Sequence, residues 1–183
     1  MENEFICYMD EQLPNYQIKP VTKENCVEAL EVYTSNQAYF SLCSGREAGV
    51  ESIYENLDTI PPDLEREKKV TIGIWEGEFC VGNLDFLLAY PNPDCLYVGL
   101  LLIHQNYHGK QVGRQVYEAL KSAAGKFGIH TLLLAVVAEN KGALKFWKKM
   151  GFVEVGTGEV EMREGWRVKV VKMENFLLHA INQ

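Results

Sequence analysis

Apolar positions run unbroken in some stretches of this chain and alternate with polar ones in others, and the contrast sorts the elements. Leu96 to Ile103 is an uninterrupted apolar run, which predicts a strand buried on both faces at the centre of a sheet. After the polar segment His104 to Lys110, the residues Val112, Val116, Leu120, Ala123 and Phe127 recur at three- or four-residue steps. That spacing predicts a helix with one apolar face, ended by Gly125 and Gly128. A second unbroken run, Thr131 to Ala138, follows. Strand, helix and strand in this order form a crossover unit, so the two strands are expected to be parallel and joined right-handedly.

Elsewhere the pattern alternates. Val70, Ile72 and Ile74 interleave with Thr71 and Gly73, and Glu76-Gly77 turns the chain into Phe79 to Leu88, which predicts an antiparallel hairpin. Trp166, Val168 and Val170 alternate with Arg167 and Lys169 after a second Glu-Gly turn, at Glu164-Gly165. The sheet should therefore be mixed, with antiparallel flanks. Tyr16 to Val21 reads as a first strand, with Thr22 capping a helix through Glu24, Val27, Leu30 and Tyr33. Ser35 to Gly49 reads as turn-rich, and Val50 to Leu57 as a helix that stops before Pro61-Pro62. Residues 1–15 are read as an N-terminal arm, 16–174 as a single α/β domain, and 175–183 as a C-terminal tail, amphipathic or disordered.

Composition narrows the setting. A chain of 183 residues is large enough for one domain with a substantial core. Its five cysteines are scattered with no CxxC pair, which suggests neither a disulfide framework nor a metal site and favours a reducing cytoplasm. No leader-like or membrane-spanning run is visible. A net charge of -7 disfavours nucleic-acid or anionic-membrane partners and mildly favours a cationic small substrate.

The chemistry begins where the central run ends. The unpaired N–H groups and positive dipole end of a helix starting near Gly109 to Arg114 suit a pyrophosphate, with His108, Lys110 and Arg114 able to meet phosphate oxygens or, for the last two, simply to be solvated. The loop reads His108-Gly109-Lys110-Gln111-Val112-Gly113. Downstream, Asn140 and Ala143 precede the aromatic pair Phe146-Trp147 and then Gly151-Phe152. Together these resemble the GNAT superfamily of N-acetyltransferases, whose acetyl-CoA loop has the pattern Arg/Gln-x-x-Gly-x-Gly/Ala between a strand and a helix. Two positions depart from it, His108 for Arg or Gln and Gln111 for the first glycine.

The resemblance implies a GNAT-like mixed β-sheet flanked by helices, with a central parallel strand pair that splays apart. It also implies acetyl-CoA as acyl donor, bound by the backbone of Leu101, Leu102 and Ile103, by the loop His108, Gly109, Lys110, Gln111, Val112, Gly113 and Arg114, and by Asn140. Asn140 is equally an ordinary N-cap. The helical region carrying Tyr39, Phe40 and Tyr54 would help form the acceptor pocket, although core packing accounts for all three as well. Trp147 stands where many members carry a tyrosine that protonates the leaving thiolate; indole donates a hydrogen bond but is no acid near neutral pH, and a core role on the face with Ala143, Phe146 and Met150 also explains it.

Acetyl transfer to an amine needs a polarised carbonyl, an uncharged amine and a proton acceptor. Asp85, sharing a strand face with Asn83, is the first candidate base, against a solvated-edge reading; His104 could accept a proton or merely orient its turn. Gly99 marks either a bulge or a close neighbour. The lysines at 141, 145, 148 and 149 read as a solvated stripe with no ligand.

The expected activity is direct transfer of acetyl to a primary amine on a small molecule or peptide, with no nucleic-acid or membrane partner; a homodimer is compatible with the sequence. The alternative is a noncatalytic acyl-CoA-binding or regulatory module. A dinucleotide or nucleoside triphosphate enzyme is disfavoured, since neither GxGxxG nor GxxxxGK[ST] is present.

Overall fold

A computed structural model describes residues 2–177. Its centre is a seven-stranded mixed sheet: β1 (Gln17–Pro20), β2 (Lys69–Glu76), β3 (Phe79–Leu88), β4 (Cys95–Ile103), β5 (Thr131–Val137), β6 (Val153–Arg163) and β7 (Trp166–Phe176), in the spatial order β1-β2-β3-β4-β5-β7-β6. Only β4 and β5 pair in parallel, joined by the amphipathic helix α5 (Val112–Lys126); all other pairs are antiparallel. The fold is the single-domain α/β architecture expected from the sequence, with both hairpins turning at the two Glu-Gly sites, where Gly77 and Gly165 have φ of 62° and 74°.

Two helical layers cover the sheet. On one face α5 buries Val112, Val116, Leu120 and Ala123 against Leu96, Val98 and Leu132. There it meets α1 (Glu2–Glu11), which corrects the expected N-terminal arm: Phe5, Met9 and Leu13, four residues apart, are all buried. The Phe5 ring lies 5.5 Å from Phe86 and 5.4 Å from Phe127, and Asp10 accepts the Ile18 N–H at 2.6 Å. A segment this short lacks the length for a free-standing helix, so its order comes from that burial.

On the opposite face lie α2 (Leu30–Thr34), α3 (Gln37–Ser44) and α4 (Val50–Asp58), packed on Trp75, Leu100 and Leu102. Two expectations change here. Thr22 caps no helix, because Asn25 accepts the Thr22 N–H and donates to the Pro20 carbonyl, holding a turn that delays helix onset to a 3-10 segment at Cys26–Ala29. The turn-rich reading of residues 35–49 hides α3, whose Phe40 and Cys43 are buried and whose end is set by Gly45 at φ 65°. The tail boundary also moves: Asn175 and Phe176 belong to β7, and residues 178–183 lie outside those described.

Candidate functional site

Pairing between β4 and β5 runs from Cys95↔Thr131 to Val98↔Leu134 and then stops, so the strands part beyond Val98. The cause is local. Between Asp85 and Phe86 of β3 the register to β4 jumps from Leu100 to Val98, leaving Gly99 as the extra residue of a bulge. Both readings of Gly99 hold together, since a Cβ there would stand 2.6 Å from Asp85 Oδ1.

Beyond the bulge β4 has one partner strand instead of two. His104 donates its N–H to Val81 of β3 at 2.8 Å. By the alternation of antiparallel pairing, Leu102 also turns its polar groups to β3, whereas Leu101 and Ile103 turn theirs into the opening. Of these, the Ile103 carbonyl is already occupied, accepting from Asn36 Nδ2 at 3.0 Å and from His108 Nε2 at 2.8 Å. Among the described residues the Leu101 N–H and C=O and the Ile103 N–H have no strand partner on that side.

The opening leads into a cleft of about 1090 Å³. Of the expected donor-binding residues, Leu101, Leu102, Ile103, His108, Gly109, Gln111, Val112, Gly113, Arg114 and Asn140 line it, together with Phe146 and Trp147. Lys110 does not; its ammonium stands 4.6 Å from the centre of the Tyr107 ring. The α5 N-terminus faces this space, with Gln111 before it at φ 68°, the left-handed conformation that explains why a glycine suits the position. Arg114 makes no ion pair among the described residues. The stripe of four lysines divides: Lys141 and Lys149 line the cleft, whereas Lys145 does not.

Asn140 does two things at once. Its Oδ1 accepts the Ala143 N–H at 3.0 Å as N-cap of α6 (Lys141–Lys149), and the residue lines the cleft. Trp147 is buried in edge-on contact with Tyr117, Phe146 and Phe152, so it is a wall of the cleft anchored in the core.

The sheet face opposite α5 carries a second feature. Strand neighbours on this face form the row Tyr97–Leu133–Glu174; past it Ala135 still pairs with Lys172, whereas Gly99, at the bulge, has no partner on β5. Gly99 and Lys172 are exposed and the other four half-buried, so α2, α3 and α4 leave this part of the sheet open. Tyr39 and Leu42 of α3 border it and reach the cleft, whereas Phe40 is buried against Tyr33 and lines neither.

Asp85 forms the floor beside Gly99. It is not at a solvated edge: its Oδ2 takes Lys69 Nζ at 2.6 Å and Thr71 Oγ1 at 2.7 Å, and the Lys69 and Asp85 side chains are each only 4% exposed. Burial raises its pKa, with Lys69, Thr71 and Arg66 opposing. Oδ1, the oxygen at Gly99, has no hydrogen-bond partner among the described residues. His104 is away from the cleft: its Nδ1 accepts the Asn106 N–H at 3.2 Å, which orients the turn, and its ring packs edge-on to Phe79.

Sequence reading passed over Ser35 and Asn36. Ser35 Oγ accepts the Gln105 N–H at 3.2 Å, and Asn36 donates to Ile103, so the α2–α3 turn is tied to the end of β4. An Asn after a short helix was a visible signal of a turn, but its partner lies 67 residues away in sequence.

With this geometry in view, the description "Acetyltransferase (GNAT) family" matches the chain over residues 24–152. The chain belongs to the GNAT acetyltransferase family. It is an N-acetyltransferase of that family, and acetyl-CoA is its acyl donor. It resembles an acetyltransferase from Thermus thermophilus at 26% identity and TM-score 0.72, covering 90% of this chain and 99% of that one. Two more distant likenesses bear on the fold alone. The ribosomal-protein-S18-alanine N-acetyltransferase of Escherichia coli has 15% identity, TM-score 0.65 and coverage of 92% and 98%. A Salmonella typhimurium protein with its cofactor acetyl-CoA has 16% identity, TM-score 0.58 and coverage of 92% and 98%. No curated protein matches.

The residues present fit a coenzyme A thioester. The cleft offers unpaired strand backbone for an amide-bearing arm, a helix N-terminus for a pyrophosphate, and Arg114, Lys141 and Lys149 for further phosphate charge.

Proposed function

We propose that the chain acetylates a primary amine directly, with Asp85 as the proton acceptor and no covalent enzyme intermediate. The observation that carries this reading is the position of Asp85 Oδ1 beside exposed Gly99, at the bulge where the pairing of β4 with β5 ends. The donor enters from the α5 side; the acceptor approaches over Tyr97, Leu133 and Ala135, under the rim formed by Tyr39.

In this arrangement the Leu101 N–H and Ile103 N–H are the donors available to polarise a carbonyl at the opening. The amine lone pair adds to the carbonyl carbon, the carbon–sulfur bond breaks, and the amine proton passes to Asp85, directly or through water. The thiolate takes its proton from solvent, since the indole N–H of Trp147 is not acidic enough near neutral pH to supply one. The net charge of -7 favours an acceptor that arrives as a cation, on a small molecule or a peptide, and that gives up one proton to water before its lone pair attacks. All five cysteines are unpaired, which supports a reducing, cytoplasmic setting.

The test is thiol release from acetyl-CoA across a panel of polyamines, amino acids and short peptides. Turnover by the wild type and a fall of roughly a hundredfold in D85N are expected for loss of a general base. Acetyl-CoA binding without transfer to any amine would instead favour a noncatalytic acyl-CoA-binding module.

A further inference from the structure

Resting on the proposed amine acetylation, we infer that Lys69 is a positioning residue for that reaction: it ties down one carboxylate oxygen of Asp85 so that the other is presented at the Gly99 bulge. Lys69 is the first residue of β2 and lies in neither the donor cleft nor the open acceptor face.

Three observations converge on it. Its ammonium reaches Asp85 Oδ2 at 2.6 Å with both side chains almost fully enclosed. Thr71, on the same face of β2, donates to the same oxygen at 2.7 Å, so the carboxylate is held by two donors on one side. Oδ1 is then fixed where only a glycine leaves room, because any Cβ at residue 99 would collide with it at 2.6 Å.

A buried ion pair is seldom a net source of stability against an apolar replacement, so its presence under the bulge calls for another role. Keeping a carboxylate ionised and aimed, in a place that burial would otherwise neutralise, is such a role. Around Asp85 the charged and titratable groups are Lys69 and Arg66 from the β2 side and the Tyr33 phenol from α2; β4 contributes Gly99 and Leu100, which do not titrate. Burial raises Asp85 and Lys69 opposes that rise, so removing the ammonium must push the carboxyl further up.

The experiment is the pH dependence of kcat for wild type, K69M, K69R and T71V, with acetyl-CoA affinity measured alongside. In K69M the acid limb should move up by about one pH unit or more, lowering turnover about tenfold per unit below the limb, while acetyl-CoA affinity stays within about twofold. K69R, which keeps the cation, should return the limb toward wild type. Thr71→Val removes the second donor with little change in shape and should move the limb the same way by a smaller amount. It also decides the matter should K69M not fold. An acid limb unmoved in K69M, or in T71V where K69M does not fold, overturns the inference. So does a loss of acetyl-CoA affinity in K69M that parallels its loss of turnover. The two levels separate cleanly. Full activity in D85N overturns the Asp85 reading and Lys69 with it; an inactive D85N beside an unmoved K69M profile overturns Lys69 alone.

Discussion

The His108 imidazole donates through Nε2 to the carbonyl oxygen of Ile103 at 2.8 Å, fastening the donor loop to the strand that precedes it. Since the carbonyl can only accept, the ring nitrogen must carry the proton, and the bond survives in either the neutral or the protonated ring. The departure from Arg or Gln at this position thus exchanges a long side chain for a short strut. His108→Ala should weaken acetyl-CoA binding about three- to tenfold, the range for one lost hydrogen bond, as read by calorimetric titration.

Gln111 occupies the left-handed conformation at φ 68°. Gln111→Gly should relieve that conformation and raise stability by about 1 kcal/mol, part of the gain being offset by greater freedom of the unfolded chain. Urea unfolding of the two proteins measures the difference. Because the side chain lines the cleft, acetyl-CoA binding by the variant should be at least as tight.

Gly45 ends α3 at φ 65° beneath the Trp166 ring, and a Cβ there would come within 2.7 Å of the indole. Arg163 strengthens the same join by donating Nε to the Ser44 carbonyl at 2.6 Å. Gly45→Ala should cost about 2 kcal/mol or more, from strain and overpacking together. Thermal melting should show part of that cost recovered in G45A/W166A, where the collision is removed and the strain remains.

Asp85 should give stability an unusual slope with pH. Its folded-state pKa is raised, so between the ordinary carboxylate value and that raised value the folded chain binds more protons than the unfolded one. Its contribution is present in full at low pH and is lost as pH rises through the folded value. Denaturant midpoints followed upward from about pH 4 should fall more steeply in wild type than in D85N.

Much of the framework around the cleft was legible in the chain because its signals are local. The unbroken run at Leu96 to Ile103, the helix period from Val112, and Asn140 ahead of its helix each depend on residues a few positions apart. What escaped was set by distant partners. The buried state of Asp85 depends on Lys69 and Thr71 on another strand, so alternation along β3 gave its face without revealing the ion pair. Helix α3 escaped because polar residues break its apolar face, and its order comes from Val137, Val168 and Trp166, about a hundred residues or more away. In contrast, Phe5, Met9 and Leu13 stand at an even helical step, and that signal was present in the sequence.

Because β4 and β5 part at the bulge, the helix-walled cleft lies on one side of the parted strands and an open strand face on the other. In the proposed reaction the two reactants therefore have separate doors. Neither has to leave before the other enters, and the spent thiol and the acetylated product can depart in either order. A molecule built to imitate both reactants at once would have to pass between the parted strands, so the linker at its waist, more than either end, would decide whether it fits.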